Sequence, residues 1–225
     1  MDLQKSLYEI YLATPPNRFN AFIAMCQQYY SRPAHTIAEL KSRDNKKIKG
    51  DIFENFCVLY LQSKGYEAWR LEDVPETLLT QLSLKRRDMG IDIVCVKDGL
   101  YSAVQCKYLA PKGKKCGLPW RTLSTFYALC MRSGSRSNGP RAEEGGSWDK
   151  HIVMTNCDYV SRVGKKSDKD ISFVLKSFQD MTSEEWLQMC GSSPTEPTFT
   201  QSEKVLSPDE LRAARLRRFA YSEVP

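Results

Sequence analysis

The stretch from Gly90 to Tyr108 reads GIDIVCVKDGLYSAVQCKY. Aliphatic residues recur on both sides of Asp98-Gly99, a dipeptide that is a strong signal for a two-residue β-hairpin turn. The sequence therefore predicts a strand, a tight turn and a second strand. Otherwise apolar strands rarely carry several polar groups, and the polar residues of this pair include Asp92, Gln105 and Lys107.

The alternation of side chains along a strand places these polar groups together. Gln105 and Lys107 share one face of the second strand, while Cys106 takes the other face. Asp92, on the neighbouring strand, can face the same way as Gln105. We therefore expect a carboxylate, an amide and an ammonium group to converge at one end of the hairpin.

A second carboxylate comes from the helix predicted over roughly Lys46 to Lys64, which Gly65 ends. The helix is apolar around most of its circumference, and Glu54 falls between Val58 and Leu61 rather than on its polar face. Burying a carboxylate is costly unless a cation or a metal compensates for it. Glu54 could therefore approach the same point as the hairpin residues.

This set of side chains suits metal-assisted hydrolysis of a phosphodiester. Mg²⁺ prefers oxygen ligands, which Asp92, the Gln105 side chain or the backbone carbonyl of Cys106, and Glu54, directly or through water, would supply. The metal would lower the pKa of a bound water and neutralise charge on the phosphorane. Lys107 would orient or deprotonate the attacking water, or stabilise the transition state.

Structural explanations exist for each residue taken singly. Asp92 and Lys107 could form a cross-strand ion pair, and Gln105 could be an ordinary polar residue of an edge strand. Glu54 could be paired with a nearby lysine. The presence of all four groups on one helix and one hairpin favours a site.

The segments GDIFENF, RDMGIDIV and AVQCKY resemble, in this order, the PD-(D/E)xK nuclease superfamily. The resemblance is closest to the restriction-endonuclease-like branch of Mrr type, where glutamine often takes the middle acidic place. It covers roughly Lys47 to Phe178, and HIVMTN resembles a later strand of that family. It implies a mixed sheet flanked by helices and Mg²⁺-dependent DNA cleavage, with Mn²⁺ as a candidate substitute. The implied core residues are Asp92, Gln105 and Lys107, with Glu54 as the helix acid.

The order of predicted elements is helices, hairpin, helix, strand, strand, helix, which indicates a mixed α/β fold. We expect an N-terminal helical extension over residues 1–45 and a nuclease-like domain over 46–190. Residues 191–225 are predicted to form a linker and a final helix, SPDELRAARLRRFA, which Ser207 caps.

Basic residues gather on both sides of the hairpin in the sequence. Such clusters suit phosphate contacts, which are not sequence-specific and weaken with salt. Solvated loops are the alternative explanation, and no recognised sequence-reading module accompanies them, so we expect little base specificity. The candidate contacts are Lys85, Arg86, Arg87, Lys112, Lys114, Lys115 and Arg121.

The composition of the chain bears on possible metal sites, on its cellular compartment and on membrane association. The chain has a formal net charge of +6, eight cysteines and two histidines. No CxxC pair occurs, which argues against a zinc site. The cysteines are expected to be free thiols in a reducing compartment, the cytoplasm or nucleus. No apolar run is long enough to span a membrane, and the N-terminus lacks the pattern of a signal peptide.

Three functional hypotheses follow from the sequence. The first is a metal-dependent DNA endonuclease with little base specificity. The second is a catalytically inactive nucleic-acid-binding module on the same fold, including the nuclease-like part of a helicase-containing chain. The third is a protein-interaction domain that uses the final helix. DNA is the expected partner, with a second copy of the chain or a helicase as further candidates.

Overall fold

The computed structural model describes most of the first 191 residues, which form one compact unit. The described residues are 2–31, 33, 36–37, 45–87, 90–110, 115–134, 148–161 and 167–191. The linker and final helix predicted over 191–225 lie outside them beyond Gly191.

A mixed sheet of five strands forms the centre of the fold, in the order β1-β2-β3-β5-β7. The pairs β1–β2 and β2–β3 are antiparallel, whereas β3–β5 and β5–β7 are parallel. A small two-stranded parallel sheet joins β4 to β6. The strands are β1 Glu67–Arg70, β2 Ile93–Lys97, β3 Leu100–Lys107, β4 Gly117–Leu118, β5 Lys150–Thr155, β6 Tyr159–Val160 and β7 Asp170–Phe173.

Helices cover both faces of this sheet, which confirms the predicted α/β class. Two 3₁₀ helices, Leu71–Asp73 and Trp120–Leu123, follow β1 and β4. The described α-helices are α1 Leu3–Ala13, α2 Arg18–Ser31, α3 Asn45–Ser63, α4 Glu76–Gln81, α5 Ser124–Cys130, α6 Leu175–Gln179 and α7 Ser183–Met189. None of these helices has the length and apolar character needed to cross a membrane.

The predicted hairpin is confirmed. Asp98 and Gly99 have φ angles of 53° and 76°, the left-handed values that both central residues of a type I′ turn require. This turn fixes the register between β2 and β3, in which Ile93 lies opposite Val104. Asp92, directly before β2, is thereby brought beside Gln105.

The end of α3 directs the chain into the sheet. Gly65 has a φ of 80°, its N–H donates to the Gln62 carbonyl at 2.9 Å, and the Tyr66 N–H donates to the Leu61 carbonyl at 3.1 Å. These two bonds are those of a Schellman motif, so Gly65 is the C′ residue that the sequence predicts. The chain then enters β1, which ends at Arg70 beside the hairpin.

The core on one face of the sheet is aromatic and includes the N-terminal helices. The Phe22 ring of α2 lies 4.7 Å from that of Phe56 on α3, and the Phe19 ring lies 4.9 Å from that of Phe178 on α6. The buried Trp186 indole of α7 donates to a carbonyl of α1. Helix α3, which carries Glu54, is thus held in place by packing against α2, α6 and α7.

The core on the other face holds α4 and α5 against the sheet. Leu79 of α4 and Phe126 of α5 pack in the same cluster as Val94, Ala103 and Val153 of the central strands. Gln105 and Lys107 share this face of β3 with Ala103, because side chains alternate along a strand.

Gly90 lets α5 approach the residue that precedes the first strand of the hairpin. Its φ is 121°, and a Cβ atom there would lie 3.1 Å from the Phe126 backbone nitrogen and 3.2 Å from the Phe126 Cα. Both the backbone conformation and the close contact therefore require glycine two residues before Asp92.

We expect Gly90→Ala to lower the free energy of unfolding by about 2 to 4 kcal/mol, because it adds backbone strain and a clash with a backbone atom. Gly99→Ala is the matched control: it also sits at positive φ, but its Cβ would meet nothing within 4 Å. It should cost only about 1 kcal/mol. Urea denaturation of the two variants measures the difference, and equal losses would show that the α5 contact contributes nothing.

Candidate active site

Asp92 is held at the open end of the hairpin by its backbone and its side chain. Its N–H donates to the Val104 carbonyl at 2.9 Å, and its carbonyl accepts from the Leu71 N–H at 2.9 Å. Its Oδ2 accepts from the Cys106 N–H at 2.7 Å and from Gln105 Nε2. The Asp92 carboxylate therefore substitutes for a backbone partner at the end of β3, which fixes its position.

The surroundings of Asp92 disfavour its charge. Burial raises the pKa of Asp92 above its usual range, opposed in part by the Cys106 N–H, by the Lys107 charge and by the Gln105 amide. The half-buried Asp92 carboxylate thus lies near a cationic side chain and two hydrogen-bond donors, but burial has the larger effect on its pKa.

Glu54 reaches the same region from α3, with 22% of its side chain exposed. Burial raises the pKa of Glu54 to about 7, and the nearby charge of Asp92 adds to this effect. Arg70 and Lys107 act in the opposite direction. The structure thus brings the helix carboxylate and the hairpin carboxylate close enough for their charges to repel.

Arg70, at the end of β1, is the residue of this region that the sequence analysis missed. Its Nη1 lies 2.8 Å from Glu72 Oε1, its Nε lies 3.8 Å from Glu54 Oε2, and its Nη2 lies 3.9 Å from Asp51 Oδ1. The ion-pair partner of Glu54, for which the sequence offered a lysine as one alternative, is therefore an arginine. Only the sheet register identifies it, since Arg70 lies opposite Ile93, next to Asp92.

The Arg70 Nε atom is buried, and within the described structure it has no hydrogen-bond partner. The guanidinium is thus held by ion pairs whose distances at Nε and Nη2 exceed those of a good hydrogen bond.

An open cleft of about 130 Å³ gives solvent access to this region. Both carboxylates and the guanidinium belong to its wall. The lining residues are Glu54, Arg70, Leu71, Glu72, Arg86, Ile91 and Asp92.

Gln105 and Lys107 differ in environment although they share a face of β3. Gln105 is 2% exposed, whereas Lys107, at the end of the strand, is half-buried. The Thr155 hydroxyl of β5 donates to the Lys107 carbonyl at 2.8 Å and so fixes this strand end. None of the ion pairs in the described part of the chain joins Asp92 to Lys107.

The oxygen donors present fit a hard cation. Two carboxylates that burial disfavours as anions lie together, and a cation would relieve that cost. Among the described residues no group of three or more histidine, cysteine, aspartate or glutamate side chains could hold a metal. Gln105 meets Asp92 through Nε2, the orientation that avoids oxygen–oxygen repulsion between them.

Of the predicted phosphate contacts, the structure places Arg86 at the cleft. Arg86 is exposed, donates to the Glu72 carbonyl, and lies 3.0 Å from Glu76 Oε2. Four others are exposed on the described surface, and Lys112 and Lys114 lie outside the described residues. The four are Lys85, Arg87, Lys115 and Arg121.

A family model described as restriction endonuclease, of the Mrr catalytic type, matches residues 60–186. The match covers more than half of the chain, and the chain belongs to the restriction endonuclease family. This confirms the resemblance to the restriction-endonuclease-like branch of the PD-(D/E)xK superfamily. No curated protein and no solved structure matched the chain.

Family membership makes this a nuclease domain, with DNA as the substrate that such a domain implies. The matched region contains Asp92, Gln105 and Lys107. Glu54 lies before its first residue, so its place in the site rests on the packing of α3 alone.

The raised pKa of Glu54 gives a pH-dependent stability prediction for the metal-free protein. Between the ordinary value of 4.5 and about 7, the folded state binds a proton that the unfolded state has released. Stability therefore falls as pH rises through this window, and the cost persists above it. We expect Glu54→Gln to raise the free energy of unfolding by about 3 kcal/mol at pH 8 and by little at pH 4.5, measured by urea denaturation in EDTA.

Glu72→Gln is the matched control, because Glu72 is also paired with Arg70 but is 60% exposed. It should leave the pH dependence of stability almost unchanged. A Glu54→Gln protein that is less stable than wild type at pH 8 would show that Glu54 serves only as the structural partner of Arg70.

Proposed function

We propose that the protein is a metal-dependent DNA endonuclease that hydrolyses phosphodiester bonds with little base specificity. The observation that carries the proposal is that Asp92 and Glu54 line one open cleft, with the Gln105 amide bonded to Asp92 and the Lys107 charge acting on both carboxylates. Two carboxylates that repel each other in a partly buried place lower the stability of the folded protein. Such arrangements concentrate at functional sites.

Asp92 is the principal metal ligand in this proposal. Its Oδ2 is held by the Cys106 N–H and the Gln105 amide, while within the described residues its Oδ1 accepts no hydrogen bond. Glu54 adds the second carboxylate, and the Gln105 amide oxygen or the Cys106 carbonyl completes the set. Mg²⁺, or Mn²⁺ in its place, would supply Lewis-acid stabilisation of charge on the phosphoryl group when bound there.

Lys107 supplies a fixed positive charge beside the carboxylates. Its backbone is held by the Thr155 hydroxyl, so the ammonium group projects from a rigid strand end. We assign it the role of stabilising negative charge that develops on the phosphate, or of orienting the attacking water. Its positive charge already favours the ionised form of both Asp92 and Glu54.

The exposed basic residues are proposed to hold the DNA backbone. Arg86 at the cleft would contact the phosphate nearest the site, with the other basic residues farther out. Contacts of this kind position the duplex without reading its sequence. The proposed contacts are Lys85, Arg86, Arg87, Lys112, Lys114, Lys115 and Arg121.

Nicking of supercoiled plasmid by the purified protein in Mg²⁺ tests the proposal. We expect Asp92→Ala to reduce nicking to background, because it removes the principal ligand, while DNA binding stays equal or becomes tighter through loss of a negative charge near phosphate. Asp73→Ala, which removes an exposed carboxylate elsewhere, should retain full activity. Wild-type protein that binds DNA but cleaves none in either Mg²⁺ or Mn²⁺ would instead indicate an inactive binding module.

Lys107→Ala should lower the cleavage rate by roughly 100-fold or more and leave the DNA dissociation constant within a few fold. The reason is that the ammonium acts on charge that develops during the reaction. Lys97→Ala is the control, since Lys97 ends the other strand of the hairpin and donates to the Lys64 carbonyl far from the carboxylates. Equal losses of cleavage and binding in Lys107→Ala would make Lys107 a phosphate contact only.

A further inference from the structure

Two of the eight free cysteines face each other across the small two-stranded sheet. The Cys116 and Cys157 Sγ atoms lie 3.2 Å apart, although 41 positions separate these residues in the chain. Cys116 directly precedes β4, and Cys157 lies between β5 and β6. From the sequence alone, both are expected to be ordinary free thiols.

The backbone, rather than the thiols themselves, imposes this proximity. The Cys116 N–H donates to Asp158 Oδ2 at 2.6 Å, and the Asp158 N–H donates to the Cys116 carbonyl at 2.8 Å. The Cys157 carbonyl accepts from the Leu175 N–H at 2.8 Å, which ties the same segment to the start of α6. Both sulfur atoms are therefore held in place by neighbouring hydrogen bonds.

Solvent access distinguishes this pair from the other cysteines. Cys116 is partly exposed, while Cys157 is 1% exposed. Cys57 and Cys106 are also in contact as thiols, but both are buried in the core between α3 and β3. Cys190, directly after α7, is partly exposed, and its thiol donates to the Trp186 carbonyl of that helix at 3.3 Å.

We propose that Cys116 and Cys157 form a reversible oxidation site, at which a hydroperoxide converts two thiols into an intramolecular disulfide. The partly exposed Cys116 meets the oxidant, and the buried Cys157 resolves the product. The oxidation site uses none of the proposed nuclease side chains and does not depend on the proposed cleavage.

The chemistry balances with hydrogen peroxide as the oxidant. The Cys116 thiolate attacks a peroxide oxygen, the O–O bond breaks, and a sulfenic acid and one water form once a proton is taken up. The Cys157 sulfur then attacks the Cys116 sulfur, the S–O bond breaks, an S–S bond forms, and a second water leaves. The two thiols lose two protons and two electrons, and the peroxide is reduced to water.

The difference between the two thiols fits these roles. Burial raises the pKa of Cys157 to about 12, so this thiol remains protonated and unreactive towards the oxidant. Its distance from Cys116 still allows attack on a sulfenic acid formed there. A small shift of the side chains brings sulfur atoms from contact to bonding distance.

The position of the pair connects it to the end of β3. The Cys157 N–H donates to the Thr155 hydroxyl at 3.2 Å, and that hydroxyl donates to the Lys107 carbonyl at 2.8 Å. A disulfide would therefore join the segment that contains Lys115 to the chain segment that fixes Lys107. Closing this loop covalently restricts the unfolded chain, which stabilises the folded state.

Peptide mapping of the full chain under non-reducing conditions tests the proposal. The reduced protein is treated with stoichiometric hydrogen peroxide, thiols are blocked, and digests are compared by mass spectrometry. We expect the Cys116–Cys157 linked peptide to be the main product, to vanish after dithiothreitol, and to be accompanied by a higher melting temperature of the oxidised protein. Cys190→Ser, the control at the other partly exposed cysteine, should give the same linked peptide.

Single variants separate the two roles. After peroxide treatment, the Cys157→Ser protein should accumulate a sulfenic acid on Cys116, which a cyclic dione traps. The Cys116→Ser protein should keep Cys157 as an unmodified thiol, and peroxide should not change its melting temperature. Wild-type protein in which both thiols stay reduced, or in which Cys116 links to another cysteine or passes to sulfinic acid, would overturn the proposal. These readouts use no nuclease assay, so a failure of the proposed cleavage leaves them intact.

Discussion

The bond from the Cys106 N–H to the Asp92 carboxylate is the interaction on which the site depends. At this point the antiparallel ladder of the hairpin gives way to a side chain, and the carboxylate takes the place of a backbone acceptor. The backbone N–H at the end of β3 is therefore satisfied without a further backbone acceptor from β2. Because Gln105 adds a second donor to the same oxygen, the carboxylate is fixed in orientation before any ligand is present.

The electrostatics of the cleft follow from that placement. Burial disfavours the charge of both carboxylates, the nearby Asp92 adds to this effect at Glu54, and Arg70 and Lys107 offset only part of it. Stability is thus reduced at a place where a bound cation would restore it, which is the arrangement expected of a binding site. The aromatic core around α3 supplies the rigidity that keeps Glu54 in this unfavourable position.

Local sequence signals predicted much of the fold. The Asp98-Gly99 turn, the Gly65 terminus of α3 and the alternating pattern of the hairpin each depend on residues close in the chain, and each is confirmed. The family resemblance is confirmed as well, and the four site residues proposed from the sequence lie close together. Their catalytic roles stay predictions, as do the phosphate contacts of all seven basic residues.

The sequence by itself determined the hairpin, the helix that carries Glu54 and the polar residues at the end of β3, because turn chemistry and side-chain alternation act over a few residues. Only the tertiary structure decided that Arg70, rather than a lysine, pairs with Glu54, since the register of β1 against β2 is a long-range property. The contact between Cys116 and Cys157 likewise depends on pairing between distant strands, which no local pattern encodes.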